Sequence, residues 1–326
     1  MTDTTDTVVK HSKSRSSPAR PGSAAAAARP PTTKLVRELR RNASGYGFLA
    51  GAVICFALFT WYPMIREFVW SFQQTHLGQT RWVGLANFRR IFADPTFWQA
   101  WRNTLQFTGL ALLLGFVVPF FVAILLNEIR HFQGYLRILV YLPVMITPVS
   151  ALLLFQYFYN PSYGLFDHAL QTVGLPVSGF LQSPHVAMLC VVVASTWMNM
   201  GSATLIYLAA LQNIPGELYE AAELDGAGVF KRIWHVTVPQ TRPILTMLLM
   251  LQIVATMQVF IEPFILTNGG AGPQDSTLTI VTLLYNYAFI YNTTNTYSAA
   301  SALGVVMLLV LGAFSGLFLA VSRNRD

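Results

Sequence analysis

Five polar or amphipathic side chains lie inside otherwise apolar stretches of this sequence, where they could bind by hydrogen bonding and ring stacking. They are Trp197, Asn199, Gln252, Gln258 and Glu262. Polar groups in such stretches are costly and usually face a bundle interior or a water-filled path. Gln258 and Glu262 are four residues apart, so a continuous helix would place them on one face. We predict that these five side chains line a path through a helical bundle.

Hydrogen bonding between helices is the alternative role for these residues, worth about 0.6 kcal/mol on average in one membrane protein. For the asparagine and the two glutamines, both interpretations stay open. Glu262 favours the path, because an unpaired carboxylate is expensive in an apolar stretch. The one Lys or Arg within the predicted stretches is Arg137, at the cytoplasmic edge of 136–158, and none lies near Glu262 in the sequence.

The sequence lacks the motifs of common catalytic and nucleotide-binding sites. It contains no Walker-type phosphate loop, no HExxH metal site and no paired Cys or His set. The six histidines are scattered outside the apolar stretches, at positions 11, 76, 131, 168, 185 and 235. The chain therefore has no visible means of hydrolysing ATP, and we predict that it carries no catalytic residue, cofactor or metal.

The apolar stretches are long enough to cross a bilayer as helices. A bilayer core needs about 20 apolar residues in a helix, and a lone strand would leave backbone groups unpaired in lipid. Only 11% of the residues are charged, against about 25% in soluble domains. We predict an all-α integral membrane protein. Its six predicted spans are roughly 47–65, 105–126, 136–158, 186–211, 243–266 and 297–321.

Basic residues predict the orientation of these spans. The region 1–45 is rich in Pro, Ala, Lys and Arg and cannot bury a core, so we predict a disordered tail before a six-span domain at 46–326. With this tail in the cytoplasm, sixteen of the 21 Lys and Arg fall on the cytoplasmic side. Both termini are then cytoplasmic, and the chain belongs in a plasma membrane.

The loop 213–243 is polar but carries helix signals. Pro215 can open a helix, acidic Glu217 suits its first turn, and Gly226 can close it. Asp225 could then cap a second short helix, with Pro239 and Pro243 at its far end. On the first helix, Leu218, Ala221, Ala222 and Asp225 share one face, and the alanines let another surface approach closely.

The spacing within this loop resembles the EAA motif of ABC importer permeases. Glu220-Ala221-Ala222 is followed at the family's spacing by Gly226 and by Val236-Thr237-Val238-Pro239, where valines replace the usual Ile and Leu. The resemblance implies a coupling helix that docks into an ATP-hydrolysing subunit. We expect the docking residues to be Glu220, Ala221, Ala222, Leu224, Asp225, Gly226 and Ala227. ATP and Mg would bind to that partner.

Further segments resemble carbohydrate-type permeases of the maltose and glycerol-3-phosphate group. They are Leu208–Pro215, Val83–Phe88 with Phe97-Trp98 and Asn103-Thr104, and Leu266–Gly270, although Ala271-Gly272-Pro273 departs from the commoner GGP run. This resemblance implies a second related permease, an ATPase dimer and an external solute-binding protein. Sugars have hydroxyls for the amide groups of the predicted path and ring faces that stack on aromatic side chains.

Three alternatives remain open at this level. Glycerol-3-phosphate or another non-sugar solute would suit the same family, although a phosphorylated solute favours a basic path and the predicted spans contain no Lys or Arg beyond Arg137 at the edge of the third. A proton-coupled secondary carrier would need intramembrane titratable groups, and Glu262 is the one acidic candidate. A membrane-embedded enzyme would need a clustered catalytic set, which the scattered histidines do not provide.

Overall fold

The chain is described by a computed structural model covering residues 43–76, 79–129, 132–174, 176, 179–291 and 296–323. The predicted tail at 1–45 lies outside these residues except for its last three, which begin a helix. Two units form, Met1–Tyr62 and Pro63–Asp326. In the first unit, the described residues form helix α1 (Ala43–Phe56) and a π-helical segment, Ala57–Trp61. All contacts given below lie within the second unit.

The helices and one short hairpin are the regular elements among the described residues of the second unit. Its first half contains α2 (Tyr62–Ser71), β1 (Gln73–His76), β2 (Gln79–Trp82), α3 (Ala86–Ala93), α4 (Pro95–Glu128), α5 (Gln133–Met145), α6 (Pro148–Phe158) and α7 (Leu165–Thr172). Its second half contains α8 (Ala187–Gln212), α9 (Gly216–Leu224), α10 (Val229–Arg232), α11 (Val238–Met257), α12 (Ile261–Leu266), α13 (Ile280–Tyr285) and α14 (Thr296–Arg323). β1 and β2 are antiparallel, with Gln73 opposite Trp82.

Five helices within the described residues are long and apolar enough to cross a membrane. They are Gly45–Ser71, Pro95–Glu128, Ala187–Gln212, Val229–Met257 and Thr296–Ala320. A bent pair, α5 with α6, makes a sixth span if it is counted as one. The predicted helical membrane fold is confirmed, but two of the predicted spans have a different form.

The third predicted span, 136–158, is broken. α5 and α6 meet at an angle of 95°, so a continuous helix over this range was wrong. Thr147, between them, has φ −58° and ψ 134°. A residue before proline is driven out of the helical region by the proline ring, and Pro148 follows directly. The same proline then begins α6, where its missing N–H costs nothing.

The predicted bounds of the fifth span, 243–266, both lie too far along the chain compared with the observed helix. The helix starts at Val229 and runs through Pro239 and Pro243 to Met257, so the prolines do not delimit a separate short helix. A π-helical turn, Ile233–Thr237, changes the hydrogen-bond register directly before Pro239, which lets the helix continue where proline would otherwise break it.

The break after Met257 also has a proline cause. Pro263 has no N–H to donate to the carbonyl of Val259, four residues earlier. That carbonyl instead accepts a hydrogen bond from Oγ1 of Thr279 at 3.0 Å. Residues 258–260 leave the helix, and α12 begins anew at Ile261.

α4 and α8 pack side by side at the centre of the unit. Small residues make their close approach possible, since Ala123 of α4 and Ala194 of α8 are fully buried. α8 also packs against α5 through Gly201, where an added Cβ would lie 2.6 Å from the carbonyl oxygen of Val140. These close contacts fix the position of α8, which carries two of the five predicted path residues, Trp197 and Asn199.

Candidate functional site

A cavity of about 650 Å³ lies among α4, α8, α11 and the start of α12. Four of the five predicted path residues line it: Asn199, Gln252, Gln258 and Glu262. Further hydrogen-bonding groups come from Ser195, Thr196, Ser202, Tyr207 and Thr256, and apolar side chains such as Phe107 and Leu251 complete the wall. The residues that line the cavity include no Lys or Arg. Its volume suits a small ligand.

Glu262 has a partner in this cavity. Oγ of Ser195 donates a hydrogen bond of 2.9 Å to its Oε1, which joins α8 to α12. The partner of this carboxyl group is thus a hydroxyl group and not a Lys or Arg. This hydrogen bond engages one carboxyl oxygen and leaves the other oxygen of the half-buried Glu262 to a bound ligand.

Gln258 and Glu262 reach the cavity without sharing a helix. α11 ends at Met257, Gln258 is the first residue of the non-helical turn that follows, and Glu262 lies beyond that turn in α12. The predicted common helical face was wrong, because Pro263 breaks the helix between the two side chains. Both nevertheless line the same wall.

The three amides differ in the partners that they have. Nε2 of Gln252 donates to the carbonyl of Ala111 at 2.8 Å, and the bare backbone of Gly115 leaves room for it. This confirms an interhelical role for Gln252 in addition to lining the cavity. Asn199 and Gln258 donate to carbonyls of their own helices. Within the described residues, their side-chain oxygens accept no hydrogen bond, so they can serve a bound hydroxyl.

Trp197 lies elsewhere. Its ring packs edge-on against Phe155 with the ring centroids 5.3 Å apart, in a core cluster formed by α4, α6 and α8. At about 100° per residue, position 197 projects to the side of α8 opposite positions 195 and 199. The structure thus separates Trp197 from the other four predicted residues.

Ser195 and Thr196 were missed by sequence reasoning. Ser195 precedes Asn199 by four residues, which places both on one face of α8. That spacing was a usable signal. Hydroxyl residues are common in membrane helices, however, and they mark a cavity only once the facing residues are known.

A second feature, the predicted docking loop, forms between α8 and α10. α9 spans Gly216–Leu224 and ends in a left-handed Gly226 with φ 75°. Ala227 N–H donates to Ala222 O at 2.9 Å and Gly226 N–H to Glu223 O at 3.0 Å, the paired bonds that close a helix at glycine. The predicted first helix and its glycine stop are confirmed.

The predicted capping of a second helix by Asp225 was wrong. Gly228 is the residue before α10, and it makes no side-chain cap. Asp225 instead belongs to the turn that ends α9. The seven predicted docking residues are all exposed or half-exposed: Glu220, Ala221, Ala222, Leu224, Asp225, Gly226 and Ala227.

Large apolar side chains stand exposed beside this loop. Leu224 is 90% exposed, Phe230 85% and Trp234 71%, with Val229 at 52%. Only Leu224 of these was predicted. The sequence did contain a signal for the other three, Val229, Phe230 and Trp234. Large apolar residues so close together are unusual in a polar, solvated loop.

Two side-chain contacts fasten α9 to the helix that follows. The hydroxyls of Tyr219 and Thr237 are 3.0 Å apart, and Thr237 is buried in the π-helical turn. Arg232 lies 3.4 Å from the carboxylate of Glu223. That pair is exposed at the glutamate and contributes little, so the hydroxyl pair is the stronger link.

Comparison with known proteins identifies the family of this chain. Residues 95–325 match the family described as "Binding-protein-dependent transport system inner membrane component". The chain is 34% identical over 276 residues to "Probable ABC transporter permease protein YurN" of Bacillus subtilis, covering 83% of this chain and 92% of that protein. It is 32% identical over 286 residues to the arabinooligosaccharides transport system permease protein AraP of the same organism, covering 87% and 90%.

A solved structure agrees with this assignment. A chain of the bacterial alginate ABC transporter, in complex with an alginate pentasaccharide-bound periplasmic protein, superposes with a TM-score of 0.78 at 27% identity, covering 89% of this chain and 98% of that one. A binding-protein-dependent system fits neither the proton-coupled carrier nor the membrane enzyme considered from the sequence. The chain belongs to the binding-protein-dependent transport system inner membrane components and is a permease subunit of an ABC transporter.

Proposed function

We propose that this chain forms half of the path of an importer for a neutral carbohydrate, which an external solute-binding protein delivers. One observation carries the proposal. The helix from Val229 to Met257 begins beside the exposed docking loop and carries Gln252 into the cavity. At about 1.5 Å per residue, Thr237 and Gln252 are about 22 Å apart along this helix.

The cavity lining supports an uncharged solute. Amide and hydroxyl groups suit sugar hydroxyls, and the charged residue among those that line it is Glu262, which Ser195 already engages. A phosphorylated or carboxylated solute would call for Lys or Arg at these positions. Glycerol-3-phosphate is therefore disfavoured. AraP is named for arabinooligosaccharides, and its similarity to this chain supports a sugar.

The exposed loop supports a soluble ATPase as the partner that drives transport. Leu224, Phe230 and Trp234 would be buried by docking, and alanines on α9 allow close approach. The nucleotide and its Mg bind on that partner. The bias of Lys and Arg supports a cytoplasmic location for this loop and for both chain termini, with the spans in a plasma membrane.

Movement of the ATPase reaches the cavity mechanically in this proposal. α9 is fastened to Thr237 through Tyr219, and Thr237 lies in the same continuous helix as Gln252. Displacing α9 therefore pulls on α11 and, through it, on one wall of the cavity. A second permease subunit supplies the opposing half of the path.

Reconstitution tests this function. The chain, its partner permease, the ATPase and the binding protein are placed in proteoliposomes, and uptake of labelled maltose, lactose, arabinotriose and glycerol-3-phosphate is measured. We expect ATP-dependent accumulation of at least one of the neutral sugars. Accumulation of glycerol-3-phosphate alone would contradict the neutral class, and accumulation driven by a proton gradient without ATP would contradict the mechanism.

A further inference from the structure

A second cavity, of about 640 Å³, lies at the other end of α12 from the first. Its hydrogen-bonding wall includes four amides and two tyrosines, Gln156, Asn160, Gln182, Asn268, Tyr157 and Tyr163, together with the hydroxyl of Thr267. No charged residue is among those that line it. We call this cavity the amide vestibule.

We propose that the amide vestibule is a carbohydrate-binding subsite that receives the neutral sugar before it enters the central cavity. The inference rests on the proposed function for the identity of the solute. It adds a separate binding site, built from residues that the central path does not use.

The wall of the vestibule is built by specific contacts. Nε2 of Gln156 donates to Oδ1 of Asn268 at 2.9 Å, which fixes the loop after α12 against α6. Asn268 has φ 51°, in the left-handed region. Gly272 lies against Thr277, where an added Cβ would be 2.6 Å from the threonine hydroxyl. A wall fixed in this way can present its polar groups to a ligand without being reordered.

The remaining polar groups suit a sugar. Within the described residues, the amide of Gln182 makes no side-chain hydrogen bond. Asn160 uses its side-chain oxygen to accept from Ser162 N–H at 2.9 Å, which leaves its amide N–H groups as donors. A primary amide can donate and accept at the same time, which matches the paired donor and acceptor character of neighbouring hydroxyls.

The two tyrosines supply an apolar platform. The rings of Tyr157 and Tyr163 lie 5.2 Å apart with an interplanar angle of 41°, and the residues are 55% and 62% exposed. Exposed aromatic faces next to hydrogen-bonding amides fit a sugar ring, which has apolar C–H faces and polar edges. Bilayer anchoring alone would not explain the four amides beside them.

α12 connects the vestibule to the central cavity. Leu266 and Thr267, at its end, line the vestibule, and Ile261 and Glu262, at its start, line the central cavity. A helix of six residues is about 9 Å long. A sugar that leaves the vestibule therefore has a short distance to travel along one helix to the next set of polar groups.

Thiol protection tests the vestibule directly. Gln182→Cys is introduced in the full transporter in vesicles and labelled with a membrane-impermeant maleimide, and modification of that residue is quantified by peptide mass spectrometry. We expect saturating maltose, lactose or arabinotriose to slow labelling at least threefold. Adding Asn160→Ala should raise the half-protecting sugar concentration by roughly two- to tenfold, the value of one hydrogen bond.

Gln171→Cys is the matched control. Gln171 is an exposed glutamine on α7 and does not line the vestibule, so its labelling should be independent of sugar. If none of the three sugars slows labelling at position 182 in a transporter that imports one of them, the vestibule is not a sugar-binding subsite and the proposed function stands. Equal protection at both positions also refutes the subsite. A wild-type transporter that imports no sugar refutes the proposed function, and protection at position 182 alone then still supports the binding site.

Discussion

Ser195 and Glu262 are joined by a hydrogen bond of 2.9 Å that crosses from the middle of α8 to the start of α12. The two residues come from different predicted spans and meet at the wall of the central cavity. This contact places a carboxylate acceptor where the helix of the fifth span has just broken. It also links α8, which packs against α4, to α12, which separates the two cavities.

Glu262→Ala should lower ATP-driven uptake at least tenfold, because it removes the carboxyl group from the cavity and leaves the Ser195 hydroxyl without its partner. Ser195→Ala keeps the carboxylate and should lower uptake roughly two- to tenfold, the value of one hydrogen bond. Uptake by proteoliposomes measures both effects. Glu128→Gln, at the exposed end of α4, is the control. Unchanged uptake by Glu262→Ala would remove Glu262 from the path.

Gly201→Ala should destabilise the bundle. The new methyl group would lie 2.6 Å from the carbonyl oxygen of Val140, and backbone cannot move aside as a flexible side chain can. We expect a loss of about 1–3 kcal/mol in the free energy of unfolding. Thermal unfolding in detergent measures it. Gly109→Ala, where nothing lies within 4 Å of the added Cβ, should leave the melting temperature unchanged or slightly raised, and a similar loss there would contradict the packing argument.

Tyr219→Phe should weaken coupling without preventing assembly. It removes the hydroxyl that lies 3.0 Å from that of Thr237 and keeps the ring. We expect the ATPase to copurify normally while the sugar imported per ATP hydrolysed falls roughly two- to tenfold. Tyr135→Phe, at a residue that is 78% exposed, should behave as wild type. A normal ratio of transport to hydrolysis in Tyr219→Phe would show that force passes elsewhere.

Asp94 should give the protein an acid-sensitive stability. Burial alone would raise the pKa of this carboxyl, but hydrogen bonds from Tyr287 and Thr96, with Arg90 nearby, outweigh it and lower that pKa below its usual value of 3.8. The pKa of Asp94 is lower in the folded protein than in the unfolded chain, so the ionised carboxylate stabilises the fold. This stabilisation is fully present when the pH is above the pKa of the unfolded chain, and it is lost as the pH falls through the pKa of the folded protein.

The melting temperature in detergent, measured from about pH 6 to pH 3, tests this dependence. Asp94→Asn should flatten the acid limb and lower the plateau near pH 6. Asp225→Asn, at an exposed loop position, should leave the whole profile in place. An unchanged acid limb in Asp94→Asn would assign the acid sensitivity to other groups.

Hydropathy and spacing predicted the membrane-spanning class, the span at 186–211 and the glycine-closed helix before Gly226. The errors in the bounds of the third and fifth spans come from prolines. Pro148 breaks the third span and Pro263 ends the fifth. Pro239 and Pro243, in contrast, lie within a helix that continues after the π-helical turn. Whether a proline breaks a helix depends on whether another group satisfies the freed carbonyl, as Thr279 does for Val259. That partner is distant in sequence and therefore invisible to a local pattern.

The same limit applies to the site. Residue type alone identified Asn199, Gln252, Gln258 and Glu262, because polar groups are rare in apolar helices. It could not separate Trp197, whose environment is decided by Phe155 on another helix. Ser195 became recognisable only through its contact with Glu262, and the amide vestibule is assembled from loops that are far apart in the sequence.

The central claim is that the loop from α9 to Trp234 docks an ATPase. The most direct measurement is copurification of the ATPase with the transporter carrying Leu224→Asp and Phe230→Asp, two residues that are 90% and 85% exposed. Truncation of a residue that anchors an interface costs about 2 kcal/mol or more, and we expect Leu224 and Phe230 to be such residues, so we predict at least a tenfold loss of bound ATPase. Leu165→Asp, at an exposed leucine on α7, should retain it fully. Retention of the ATPase by the double variant would contradict the account.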